Sequence, residues 1–202
     1  YQTFFELIPG DEPSKLYRFR LEHMEPSISL FTTYFGLDCQ PTELGIPRGN
    51  TFHNHSLDFD DAYHRALSQE LDSTDWCAIN FEHSSVAASP PGTGIVGFAE
   101  VTPSGEWLDL DNETYRARKE EIRRKLVDKY VKRFPGLEDH VVVEEFATPR
   151  TMYRYTRNKA GAVYGLAQTV EQSGSRRLRN RTPIGGLYLT GAWTWAGGGY
   201  EG

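Results

Sequence analysis

The sequence predicts an α/β (α+β) fold, a mixed β-sheet with helices packed on it. Short runs with strand character recur at residues 15–22, 27–35, 76–81, 94–101, 141–146 and 186–190. Two segments, 58–71 and 112–134, change to a helical period. The two kinds alternate without the strict beat of a βαβ protein, which favours a mixed sheet over a regular parallel one, and no internal repeat is present.

Each element has its own reason. In residues 15–22, Leu16, Tyr17, Phe19 and Leu21 are interleaved with Lys15, Arg18, Arg20 and Glu22, close to a half-buried strand. Residues 27–35 are uncharged and β-rich, and two Pro and two Gly make residues 41–50 a loop. Phe59, Tyr63 and Leu67 recur every four residues behind Asp58, Asp60 and Asp61, which suit the positive end of an amphipathic helix. Residues 76–81 and 94–101 read as a strand pair; the uncharged run 94–99 is expected to be buried on both faces. Asn112 caps the longest helix, Tyr115, Ile122, Leu126, Tyr130 and Val131 form its stripe, and Pro135-Gly136 ends it. A strand at 141–146, a short helix near 148–157, a polar loop through Arg181 and a last strand at 186–190 complete the chain.

Of the 202 residues, 38% are hydrophobic, 13% aromatic and 25% charged, a balance that excludes whole-chain disorder. The net charge of -6 opposes a phosphate backbone, so nucleic acid is not an expected partner. No apolar run approaches the roughly 20 residues that cross a bilayer, and no leader is recognisable. Cys39 and Cys77 form neither a disulfide framework nor a CxxC pair, which points to a reducing, cytoplasmic setting. The chain starts at Tyr1 and stops at Gly202, directly after a glycine-rich run where a helix would begin. It is therefore expected to be a piece of a longer protein.

The strongest local signal is the stretch Gly-Leu-Tyr-Leu-Thr-Gly-Ala-Trp-Thr-Trp-Ala-Gly-Gly-Gly-Tyr-Glu-Gly at 186–202. An apolar strand runs into glycines that permit positive φ and close backbone approach, and amides at a following helix start would meet an anion or a polarised carbonyl. Gly197, Gly199 and Gly202 form a GxGxxG, but it lies too far from its strand for a primary pyrophosphate loop.

That stretch resembles the C-terminal flavin-contact signature of the phytoene desaturase family, which includes carotenoid isomerases and retinol saturases, within the flavin amine oxidase superfamily. Residues 31–37, 87–92 and 146–152, with Arg154-Tyr155 and the Gly161…Gly165 segment, follow in the order that family shows. The resemblance implies an FAD-dependent oxidoreductase (desaturase, saturase or isomerase) acting on a polyene, isoprenoid or similar hydrophobic substrate. It implies a substrate-binding domain over residues 1–182, and a C-terminal strand and helix start of an FAD-binding Rossmann-like domain over 183–202. The family's N-terminal dinucleotide motif has no counterpart here, so the fragment alone is expected to be inactive.

Carried over residue by residue, Gly191 and Ala192 would lie near the FAD phosphate and ribityl region; many relatives have an acidic residue where Ala192 stands. Gly199, Tyr200 and Glu201 would bring backbone amides to the flavin N1 and C2 carbonyl, where charge gathers on reduction. Trp193 and Trp195 would wall the ring or its substrate, and Phe31, Tyr34 and Phe35 are the aromatic run expected to line an apolar tunnel, with ordinary core as the alternative. No catalytic side chain is assigned.

Other constellations are weaker. His53 and His55, joined by His64 or His83, are the residue types of a metal site but sit in polar surroundings, and no metal is expected. Glu82-His83-Ser84-Ser85 lacks a nucleophile elbow. Arg176, Arg177, Arg179 and Arg181 crowd one loop and suit peripheral contact with lipid phosphates. The competing functional class is a non-catalytic hydrophobic-ligand or protein-interaction module on the same scaffold.

Overall fold

The computed structural model describes residues 2–9, 12–82 and 89–198. In chain order the main elements are α1 (Lys15–His23), β1 (Ser29–Leu37), β2 (Gly49–His53), α2 (Phe59–Ser68), β3 (Trp76–Asn80), β4 (Gly94–Thr102), α3 (Asn112–Arg133), β5 (Val141–Ala147) and α4 (Pro149–Thr156). They form two compact units. One draws on residues 1–29, 104–108 and 149–202, the other on 30–103 and 109–148.

The second unit is a five-stranded sheet in the order β2-β3-β4-β1-β5 with α3 packed on one face. The sheet is antiparallel rather than mixed. Although α2 separates β2 from β3, those strands pair antiparallel, with Gly49 opposite Asn80 and His53 opposite Trp76. Alternation along each strand sends Phe31, Phe35, Trp76, Ala78, Val96, Phe98 and Phe146 into the core, where they meet Ile122, Leu126 and Tyr130 of α3. Phe98 stacks on Tyr130 with ring centroids 4.2 Å apart, and Phe35 meets Phe98 edge-on at 5.9 Å. β4 is fully buried on that face; on its other face Gly97 is buried but Ile95, Ala99 and Val101 are partly exposed, against the expectation of burial on both.

Asp111, one residue before the expected Asn112, caps α3. Its carboxylate accepts from the amides of Glu113 and Thr114 at 2.8 and 2.9 Å. Asp58 caps α2 in the same way, but the Phe59, Tyr63 and Leu67 stripe of that helix faces outward and Ala66 is its buried residue.

In the first unit, residues 15–22 are helical rather than extended. Ser14 caps the helix, and Tyr17, Leu21 and Met24 recur at spacings of four and three, so one helical face reaches the cluster with Phe4, Leu166 and Leu178. Leu16 and Phe19 remain outside, at 78% and 57% exposure. The last expected strand is absent as well: residues 186–190 make one isolated bridge, Tyr188 to Arg181. Pro183 has no amide to donate, Gly186 turns at φ 80°, and the Thr182 hydroxyl takes the Leu187 carbonyl, so a ladder cannot extend.

Candidate functional site

Two surfaces bear on the expected chemistry, one in each unit. The sheet face opposite α3 carries Leu30 and Tyr34 of β1, Cys77 and Ile79 of β3, and Ile95, Gly97, Ala99 and Val101 of β4, all at least partly exposed except Gly97. Gly97 lets the Tyr34 ring lie across the sheet: a Cβ there would stand 3.1 Å from Tyr34 Cε1. Burial pushes the Cys77 thiol pKa up, so it is a small apolar group on this face and not a nucleophile. β1, β3 and β4 thus supply a wall without charged side chains, and Glu145 of the edge strand β5, directly opposite Tyr34, stands at its border.

Of the three aromatics expected to line a tunnel, only Tyr34 reaches this surface. Phe31 and Phe35 are each 1% exposed and pack the core. A strand turns successive side chains to opposite faces, so the run 31–35 cannot present all three to one ligand.

In the first unit the terminal segment forms a tight turn. Gly191 adopts φ 87°, and its carbonyl accepts from the Thr194 amide at 3.0 Å and the Thr194 hydroxyl at 2.9 Å. The Gly197 amide in turn donates to the Thr194 carbonyl at 3.0 Å. Among the described residues, the amides of Gly191 and Ala192 meet no acceptor. Gly165 passes directly beneath: a Cβ at Gly165 would stand 2.4 Å from the Ala192 carbonyl oxygen.

Arg177 locks this turn. Its Nε donates to the Thr194 carbonyl at 2.7 Å, Nη2 to the Ala192 carbonyl at 2.7 Å and Nη1 to the Leu166 carbonyl at 3.1 Å. The residue is 1% exposed, and burial lowers its pKa. It is therefore unavailable to lipid, a correction to the reading of the four-arginine loop. Arg179 and Arg181 instead line a cleft of about 490 Å³ with Arg20 and Tyr17.

Trp193 turns inward, packing on the Phe4–Leu178 cluster, and donates from Nε1 to Asn158 Oδ1 at 3.1 Å. Trp195 is 57% exposed beside Ser175, Arg179 and Asn180. Gly199, Tyr200 and Glu201 lie outside the described residues, as does most of the loop containing His83. His53 is an aromatic packing group, stacked on Trp76 with centroids 3.9 Å apart; burial and the charges of Arg133 and Lys129 lower its pKa. The roles of Arg177 and Gly165 were not legible in the sequence, because each depends on a partner more than ten residues away.

Comparison with known proteins returns carotenoid and retinoid enzymes. A chloroplastic prolycopene isomerase of Daucus carota is 25% identical over 128 residues, 58% of this chain and 21% of that protein. A chloroplastic prolycopene isomerase of Arabidopsis thaliana is 27% identical over 104 residues, 51% of this chain and 18% of that protein. An all-trans-retinol 13,14-reductase of Danio rerio is 26% identical over 188 residues, 85% of this chain and 30% of that protein. The chain thus spans less than a third of the length of these relatives. No family model matches it. No helix among the described residues is long and apolar enough to cross a membrane.

Proposed function

We propose that this chain supplies the substrate-facing part of an FAD-dependent enzyme that acts on a polyene, isoprenoid or similar hydrophobic molecule. The observation that carries the reading is the sheet face around Tyr34, Ile79, Ile95 and Val101, where β1, β3 and β4 present no charged side chain. Each CH₂ removed from water stabilises a complex by about 0.8 kcal/mol, so a long hydrocarbon needs a dry wall more than polar contacts. The similarity to isomerases of prolycopene and a reductase of retinol supports this substrate class.

The turn at 191–197 fits a role beside the cofactor. Among the described residues Gly191 and Ala192 offer amides without an acceptor and no bulky side chain, suited to the phosphate and ribityl region, while Arg177 engages the Ala192 carbonyl and Thr194 that of Gly191. The cofactor, when bound, would take up or lend a hydride equivalent. The chain's own contribution is to orient the hydrocarbon and keep water from the reacting bond. In this reading residues 183–202 belong to the flavin-binding part, Gly199, Tyr200 and Glu201 extend the amide row, Trp195 faces ring or substrate, and Arg176, Arg179 and Arg181 remain for anionic lipid.

The test uses the full-length protein. A flavin absorbance spectrum and chromatographic turnover of prolycopene or all-trans-retinol are expected, and Ile79→Asp should abolish turnover while the flavin spectrum persists. A colourless protein that FAD cannot reconstitute would overturn the proposal in favour of a non-catalytic hydrophobic-ligand module.

A further inference from the structure

The last rung between β1 and β5 pairs Leu37 with Val141. The residues just outside that rung, Asp38 and Cys39 on one side and His140 on the other, are thereby brought together from opposite halves of the sequence. The Asp38 amide donates to the His140 carbonyl at 3.1 Å, which fixes the two backbones. Asp38 Oδ1 and His140 Nδ1 are 2.7 Å apart, and a ligand atom of Cys39 lies within 4.8 Å of both partners' ligand atoms. The hydrogen bond accounts for Asp38 and His140. It leaves unexplained why a thiol converges on the same point, with Glu43 adding a second negative charge to its surroundings.

We propose that Asp38, Cys39 and His140 form a binding site for a zinc-like dication. Sulfur, nitrogen and oxygen donors together suit a borderline metal and disfavour calcium or magnesium, which take oxygen alone. Ligand distances of about 2.0–2.3 Å give a tetrahedral edge of roughly 3.3–3.8 Å, so the converging atoms need only small shifts. The ion replaces the Asp38–His140 hydrogen bond, water completes the fourth position, and the end of β1 is clipped to the start of β5. Asp38 and His140 side chains are 56% and 42% exposed, which leaves an entry path, while Cys39 is 9% exposed and supplies the buried donor. The site lies apart from the sheet face proposed to meet substrate and does not depend on that reading.

Cobalt(II) is the probe, titrated under reducing conditions into the 202-residue chain. One ion per chain is expected, with a thiolate-to-cobalt charge-transfer band that zinc abolishes by competition. The band should vanish in Cys39→Ser, persist in Cys77→Ser, and appear in His140→Ala only at cobalt concentrations at least tenfold higher. Absence of a band in the unmodified chain, its persistence in Cys39→Ser, or unchanged affinity in His140→Ala overturns the site. Should Cys39→Ser fail to fold, His140→Ala, altered at an exposed ring, decides alone.

Discussion

The Arg177 Nε donates to the Thr194 carbonyl at 2.7 Å, and with this bond a buried guanidinium ties the polar loop to the terminal turn. The planar fork serves the carbonyls of Thr194, Ala192 and Leu166 at 2.7–3.1 Å and reaches those of Ala167 and Gln172 at 3.4 Å. Lysine can replace the charge but not the geometry, and methionine takes the guanidinium donors from the Ala192 and Leu166 carbonyls and leaves that of Thr194 with the Gly197 amide alone. Each buried polar group without a partner costs about 1–3 kcal/mol. Arg177→Lys is therefore expected to destabilise by about 2 kcal/mol and Arg177→Met by more, read as lower urea midpoints followed by tryptophan fluorescence. An Arg177→Met protein as stable as the unmodified one would show that the turn needs no such support.

Glu100 gives a pH-dependent prediction. Its side chain is buried beneath the sheet, where it accepts from Tyr130 at 3.0 Å and pairs with Lys129 at 3.2 Å, with Thr74 as a further donor. Burial pushes its pKa above the ordinary 4.5, and the Lys129 charge offsets that only in part. A carboxyl that holds its proton more tightly when folded favours the folded state at pH below 4.5, and that contribution is lost as pH rises through its raised folded value. Glu100→Gln removes the titration. The stability of the unmodified chain relative to Glu100→Gln should fall between pH 4.5 and neutrality. A difference that is flat, or that rises, contradicts the assignment.

Replacing Glu100 by Ala is a different experiment. It leaves the Lys129 ammonium, 14% exposed, facing an apolar gap without its counter-ion. Breaking a buried pair from one side costs about 3–5 kcal/mol, toward the lower end here because Lys129 also donates to the carbonyls of Leu71 and Thr74. Thermal unfolding of Glu100→Ala, with Glu100→Gln as the milder reference, measures it.

These networks mark where sequence reading stopped. The central strands and α3 were legible because their periods repeat, although the cap of α3 falls on Asp111 and not on the expected Asn112. Residues 15–22 misled because bulky residues at 16, 17, 19 and 21 satisfy a two-residue period as well as a helical one. The choice was settled by Phe4 and Leu178, which Tyr17 and Leu21 meet only on a helix. The stripe Phe59, Tyr63 and Leu67 has a correct period but no partner among the described residues, so amphipathicity located the helix and misjudged its buried side. For the candidate site, the uncharged character of residues 94–99 was visible, whereas the division of Phe31, Tyr34 and Phe35 between two faces follows from the pleat.

Asp111 offers a local prediction. Hydrogen bonds from Thr114 and Glu113 hold its carboxyl below the ordinary 3.8, so its stabilising effect is present above pH 3.8 and lost as pH falls through the lower folded value. Asp111→Ala should lower the urea midpoint at pH 7, Asp111→Asn should retain most of the stability, and the two should converge with the unmodified chain in strong acid. Equal midpoints for Asp111→Ala and the unmodified chain at neutral pH would show that α3 does not depend on this cap.

The proposed substrate wall is tested most directly at Gly97. A methyl there stands 3.1 Å from Tyr34 Cε1 and 3.4 Å from Phe81 Cε2, tighter than ordinary packing, so the Tyr34 ring must lift off the sheet. Gly97→Ala alone is expected to destabilise by about 1 kcal/mol. Tyr34→Ala removes the obstacle, so the double variant should be more stable than the two single effects would add to. If the ring also bounds the hydrocarbon, Gly97→Ala in the full-length protein should shift the distribution of polyene products or raise KM. Additive stabilities would show that ring and glycine do not touch; normal product ratios with coupled stabilities would keep the contact and remove Tyr34 from the substrate wall.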